Sequence, residues 1–397
     1  MTRITRYILF ELLSIFMVTL FGITLLLMLV GVIREGLREG LGINAILRMI
    51  PYVVPVALQP SIPATILIAT CSVYGRMSAD NEVVATKSLG ISPKALLRPA
   101  LIVGFLVSLV AVWINDLAPS WGRTGIYTVV IESVEEVVYR MLRTQKSYGV
   151  SGFWINVRDV QDRTLLQPHI DIRTSGNSPS VTINAREAEL RSNKEKQILE
   201  FHLRDGIVEI GDSEIMDFRN TEHVFEIPLI NATRKGNHLD SPSLVPMHLI
   251  PSETTEQRKR TGSLERLAAS QAAYQLMTAD FASLAEPGSW NSRNRAVNDE
   301  RTRLHRLKLE PYRRWATGFS CFFFVLVGAP LAIQMKNSNF FVTFAAVFLP
   351  ILIIYYPLLA FSVDRAKDGA VPPYAVWIGN LALLLVGIGI QRRVIRY

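Results

Sequence analysis

Three sets of side chains in this 397-residue sequence have types and spacings that invite chemistry. The first is Arg76, Asp80, Glu82 and Lys87, in a polar stretch (74–99) between two long apolar runs. Acidic residues near its start and Gly90 at its end favour a short helix. Such a helix can lie in a membrane interface or serve as a handle that another protein grips. The second set is a run of cations: Arg301, Arg303, Arg306, Lys308, Arg313 and Arg314. It reads as a solvated face or a lipid-headgroup contact, or more sharply as a site for an anionic ligand. The third is the six scattered histidines, of which His169 and Asp171 would project from one face of a strand as two metal ligands. No third ligand accompanies them, so no metal site is expected.

Catalytic signatures are missing from this inventory. There is no G-x-x-x-x-G-K-[ST] phosphate loop, no G-x-S-x-G and no H-E-x-x-H. No nucleophile–base pair can be named, so the expectation is no catalytic residue, no bound cofactor and no ATP hydrolysis by the chain itself. Cys71 and Cys321 lie inside apolar runs, where a thiol is a small packing group. The net charge of +8 raises nucleic acid as a partner, but the basic residues flank apolar runs and accompany no nucleic-acid motif.

The elements that must position these residues are membrane helices. Hydrophobic residues make up 49% of the chain and are concentrated. Charge is absent from 12–33, 49–75, 99–115, 315–335, 337–363 and 369–391. About 20 apolar residues carry a helix across the hydrocarbon core, so six spans are expected, the third continuing past Asp116 to Trp121. The first run is too long for a signal-peptide core and is followed by Arg34-Glu35 rather than a cleavage site. Pro51, Pro55, Pro60 and Pro63 predict a broken or kinked approach in the second span. Six spans put both termini on one side, together with Arg3, Arg6, the 76–98 loop, Lys336, Arg392, Arg393 and Arg396. The positive-inside rule makes that side the cytoplasm.

Between spans three and four lies a large outer region. Alternating runs at 153–160, 169–174, 181–190, 201–210 and 223–230 predict half-buried strands, with Asp205-Gly206 as a hairpin turn. An antiparallel sandwich or jelly roll follows. Residues 262–285 and 294–314 read as two helices separated by Pro287-Gly288. The expected organisation is 1–122 (spans one to three, with the polar helix at about 78–92), 123–250 (β domain), 251–312 (helical basic connector) and 313–397 (spans four to six).

The stretch PATILIATCSVYGRMSADNEVVATKSLGISPKALLRP resembles the signature of the lipopolysaccharide-export permease family, its F and G subunits (the LptF/LptG, or YjgP/YjgQ, family). Asp80-Asn81-Glu82-Val83 and Ser88-Leu89-Gly90-Ile91-Ser92 occupy the places of that family's acidic stretch and glycine turn. The resemblance recurs at LHRLKLEPYRRWATGFSCFFFVLVGAPLAIQ and at AVPPYAVWIGNLALLLVGIGI, and it covers effectively the whole chain. Lys87, Gly379 in place of a proline, and a long polar segment at about 252–298 depart from the pattern.

The resemblance implies a six-span, 3+3 helical membrane protein with an inserted extracytoplasmic antiparallel β-jellyroll. It implies a permease subunit in the inner membrane of a Gram-negative type envelope. Its partners would be a cytoplasmic ABC ATPase dimer that uses the ATP, a second six-span permease, periplasmic β-jellyroll proteins and lipopolysaccharide. Residues 80–90 would be the coupling helix, with Glu82 the interacting acid and Arg76, Asp80 and Lys87 around it. Spans one and five would form lateral gates. Arg34 and Arg38 would meet lipid A phosphates, which guanidinium forks suit, and Arg313 and Arg314 are the further candidates for lipid. Two other readings compete: a permease for a different envelope lipid, and a membrane sensor or scaffold using its β domain.

Overall fold

The structure is a computed structural model describing residues 3–39, 41–150, 153–172, 181–193, 198–210, 214–217, 222–228, 241–280, 287–335 and 339–396. Among the described residues, six helical segments are long and apolar enough to cross a membrane: Arg3–Gly36, Ile43–Ala79, Pro93–Glu132, Arg293–Gln334, Phe340–Lys367 and Pro373–Val394. The chain forms two compact units, one of residues 1–26, 55–120 and 242–397, the other of residues 27–54 and 121–241.

The first unit contains most of the spans. Helix α1 (Arg3–Glu39) and helix α2 (Ile43–Ala79) begin the chain, and α3 (Glu82–Ser88) is the short polar helix. Span three is α4 (Pro93–Leu117), a π-helical turn (Ala118–Arg123) and α5 (Thr124–Glu132). The expected break in span two does not occur: α2 is one helix through all four prolines. A proline deletes a single donor from the ladder, and the flanking i→i−4 bonds carry the helix past it. The hydroxyls of Ser61, Thr65 and Thr70 donate to carbonyls one turn back, so their polar groups are satisfied without water.

Spans three and four pack closely. A Cβ on Gly318 would meet the Val112 backbone nitrogen at 2.7 Å, so only glycine lets the two helices approach this far. Polar contacts add to the seam: the Phe322 amide donates to Ser108 Oγ (2.9 Å), and Asn115 Nδ2 donates to Thr317 Oγ1 (3.1 Å). Ile8, Leu12, Ile66, Tyr74, Val103, Val325 and Ala329 belong to the core these helices share.

The basic connector is not separate from span four. Residues predicted as a helix ending at 314 run without interruption into the membrane segment as one 48-residue helix, α8 (Pro287–Gln334). Its partner α7 (Ile250–Met277) starts twelve residues before the predicted 262. The two pack on each other through buried Gln257, which donates to the Glu300 carbonyl (3.2 Å), and through Arg301–Glu265 (2.7 Å). Pro287 does mark the boundary, at the start of the second helix, where a missing N–H costs nothing. The chain ends with α9 (Phe340–Pro350), a π-helical turn (Ile351–Tyr355), α10 (Tyr356–Lys367), a 3-10 turn (Pro373–Trp377) and α11 (Ile378–Arg396). Lys336 lies outside the described residues.

The second unit is built on an antiparallel sheet, with α6 (Val134–Gln145) leading into it. Its strands are β1 (Ser147–Val150), β2 (Phe153–Asn156), β3 (Asp159–Gln161), β4 (Thr164–Leu166), β5 (His169–Ile172), β6 (Val181–Asn193), β7 (Ile198–Ile210), β8 (Glu214–Asp217) and β9 (Glu222–Pro228). Residues 229 and 230 of the last predicted strand lie outside the described residues. Val134, Val137, Val138 and Leu142 bury one face of α6. The Tyr139 hydroxyl donates to the Arg163 carbonyl (2.6 Å) and accepts from the Leu190 amide (2.8 Å); burial raises its pKa and keeps it a donor.

Asp205-Gly206 is not a hairpin turn. Strand β7 runs straight through it, paired to β6 in one register from Val181↔Ile210 to Asn193↔Ile198. Asp205 adopts a left-handed φ of 50°, which Asp tolerates better than most side chains, and the β6–β7 pairs step over it, from Ala185↔Gly206 to Glu187↔Arg204. At this point β7 exchanges β9 for β8 as its outer neighbour, and β6 exchanges β4 for β5. The inward residues change parity there, from Phe201 and Leu203 to Val208 on β7, and from Ile183 to Ala188 and Leu190 on β6. The dipeptide is therefore a corner at which two long strands pass from one half of the sheet to the other.

Candidate functional site: the charged cluster around Arg76

Helix α2 ends at Ala79, and Asn81 takes a left-handed φ of 57° to turn the chain into α3. Seven residues are too few to hold a helix in water unaided. Here both ends are fixed. Gly90, at φ +77°, donates to the Lys87 carbonyl (2.9 Å) and Ile91 donates to that of Thr86 (3.2 Å), a Schellman closure. Val83 is buried in the core of the span unit. Beneath it, the Tyr74 hydroxyl donates to the Leu96 carbonyl (2.7 Å) and Ser78 Oγ donates to the Ile333 carbonyl (2.8 Å). These two bonds tie the base of α3 to spans three and four.

Arg76 gathers the charges. Its Nη2 donates to both carboxylate oxygens of Glu11, at 2.6 and 2.7 Å, and to the Tyr7 hydroxyl at 2.8 Å. Nη1 reaches Asp80 at 3.4 Å and Glu82 at 3.3 Å. The contacts are unequal. The Glu11 fork is short and bidentate, whereas the two acids of the α3 turn hold the same guanidinium at the edge of bonding distance. Such exposed pairs contribute about 0–1 kcal/mol and are easily exchanged. Three carboxylates surround one guanidinium, so the cluster carries surplus negative charge, presented on half-exposed Glu82 and exposed Asp80. Chemically this is an acceptor for a partner's cation. Val84 and Leu89, both exposed, supply apolar contacts on the same short helix.

Lys87, expected with this group, faces elsewhere. It lines a cavity of about 410 Å³ with Val83, Val84, Ile333 and Arg393. Thus Arg76, Asp80 and Glu82 are brought together and Lys87 is not. Glu11 and Tyr7 complete the cluster without having been anticipated; the available signal was a carboxylate at the edge of the first apolar run, where a charge calls for a partner.

The predicted lipid-binding arginines separate as well. Arg34 is exposed and makes no ion pair among the described residues. The side chain of Arg38 lies outside the described residues. Arg313 is half-buried and pairs with Glu310 (2.7 Å). Arg314 is only 2% exposed: it pairs with Asp116 and donates to the carbonyls of Ser243 (2.9 Å) and Val245 (2.8 Å). Asp116 in turn accepts from the Met247 amide (2.9 Å). This enclosed guanidinium fastens the chain returning from the β region onto spans three and four, and both of its Nη groups are engaged inside the protein. His169 contacts Asp171 (3.3 Å) and Asn184, and no group of three or more His, Cys, Asp or Glu that could hold a metal ion occurs among the described residues.

Six apolar spans, three before and three after an inserted antiparallel β region, with an anchored acidic helix between spans two and three, define a multi-pass membrane protein. Residues 6–393 match the family described as Lipopolysaccharide export system permease LptF/LptG, and the chain belongs to that family. It is a lipopolysaccharide-export permease, a transporter component rather than an enzyme, from a class that works in membrane-associated complexes. No curated protein matches the chain.

Proposed function

We propose that this permease is driven by a separate cytoplasmic ABC ATPase dimer that docks on α3, with Glu82 as the principal contact and Asp80 and Arg76 setting its charge. The observation that carries this reading is the anchored helix with an acid surplus. A force applied to α3 passes through Val83, Tyr74 and Ser78 directly into spans two, three and four. In this reading both termini and α3 are cytoplasmic, the membrane is the inner membrane, and ATP is bound by the partner.

Spans one and five are the proposed contacts with a second six-span permease. Within the chain only 6% and 17% of their most apolar windows are buried, against 72% for span four. The β region would hand lipopolysaccharide to periplasmic β-jellyroll proteins. Arg34, Arg38 and Arg313 are the proposed contacts for lipid phosphates; Arg314 supports the fold that presents them. Affinity purification in mild detergent should recover a small ATPase and a second permease. Glu82→Arg should lose the ATPase while the protein still inserts and keeps its thermal stability. Retention of the ATPase by that variant would overturn the docking role.

A further inference from the structure

A groove of about 870 Å³ runs along the first turns of α1 against α4. Phe10 and Leu13 form one wall and Leu106 and Val107 the other, while Arg3 and Arg6 stand at its mouth. Arg3 and Arg6 are exposed, and neither makes an ion pair among the described residues. They also sit in the first turn of a helix with no acidic residue there, where the helix dipole disfavours cations. A bound anion would relieve that cost.

The geometry points to a binding site for one anionic diacyl glycerophospholipid from the leaflet at that end of α1. Positions 3, 6, 10 and 13 follow one another along a single helix face. The charge-free run of α1 begins at Leu12, so Arg3 and Arg6 stand in the headgroup region and Leu13 at the start of the hydrocarbon. The cations thus lie where a phosphate would be, and the apolar walls lie where acyl chains would be. A transmembrane helix from a partner would fill the walls but leave both guanidinium groups without an acceptor. The site reaches the charged cluster through Tyr7, which lines the groove and accepts from Arg76. That connection to α3 rests on the docking role proposed above; lipid binding itself does not.

The test is native mass spectrometry of the full-length protein in mild detergent, titrated with phosphatidylglycerol and with phosphatidylcholine. Wild type should retain one phosphatidylglycerol with about tenfold or greater preference, since each basic residue at a membrane surface attracts anionic lipid by about 1 kcal/mol. Arg3→Gln with Arg6→Gln should abolish the preference at unchanged thermal stability. Leu106→Trp, which obstructs the groove and keeps both charges, should weaken retention of both lipids. Equal retention of the two lipids by wild type, or an unchanged preference in the double variant, would overturn the proposal. So would a photo-crosslink from position 106 that captures lipopolysaccharide or another protein chain. Loss of ATPase from Glu82→Arg with lipid retention intact would show the two proposals to be independent.

Discussion

Arg314 and Asp116, 198 positions apart, form an ion pair in which the guanidinium is almost wholly enclosed and also holds the carbonyls of Ser243 and Val245. Removing the enclosed guanidinium leaves the Asp116 and Glu310 carboxylates and two carbonyls without it, a loss for which the deletion of one member of a fully buried pair, about 3–5 kcal/mol, is the upper bound. Arg314→Ala should therefore lower the thermal unfolding temperature sharply in detergent. Arg313→Ala removes a more exposed side chain and leaves buried Glu310 within 3.5 Å of Arg314 Nε, so it should lower the unfolding temperature less. Equal destabilisation by the two, measured by fluorescence-detected unfolding, would contradict the distinction.

Glu11 takes the short fork of Arg76 and so leaves Asp80 and Glu82 only loosely neutralised. Glu11→Gln should release the guanidinium toward those two acids and weaken ATPase docking by about tenfold without altering α3 itself, the scale of one charge-assisted hydrogen bond. The readout is ATPase retention in a salt-graded pull-down. Increased retention would mean that Arg76, rather than the acids, faces the partner.

Gly90 closes α3 at φ +77° with open space around it. Gly90→Ala should cost about 1 kcal/mol from backbone strain alone, and Gly90→Asn less. Hydrogen exchange of the 83–88 amides should rise more in Gly90→Ala than in Gly90→Asn. Gly262→Ala, within a helix and equally uncrowded, serves as a control that should be neutral or stabilising.

Two carboxylates of the β region are held below their ordinary pKa: Glu189 by the Arg191 guanidinium and Asp159 by the Lys146 ammonium. A depressed folded-state value means that the unfolded chain takes up the proton first. The contribution is thus present above the ordinary carboxylate range, about pH 4, and is lost as pH falls through the folded values. Acidification below about pH 4 should raise hydrogen exchange in β3 and β6. Glu189→Gln should flatten the response in β6 and leave β3 unchanged. The same acid response in β6 with and without Glu189 would assign it to other groups.

Sequence alone determined the number of spans, because a bilayer imposes its requirement locally: a helix in lipid must satisfy its own backbone, and only long apolar runs can do so. The short helix before Gly90 was legible for the same reason, since its acidic start and glycine stop are neighbours in the chain. The family signature lay in contiguous residues as well. Tertiary structure decided what the charges do. Arg76 meets Glu11 across 65 positions and Arg314 meets Asp116 across 198, and no local rule pairs residues that far apart. It also made Asp205-Gly206 a corner instead of a turn, because β6 and β7 keep one register past it. Finally it joined the basic connector to span four in a single helix, where composition had implied a boundary that backbone hydrogen bonding does not require.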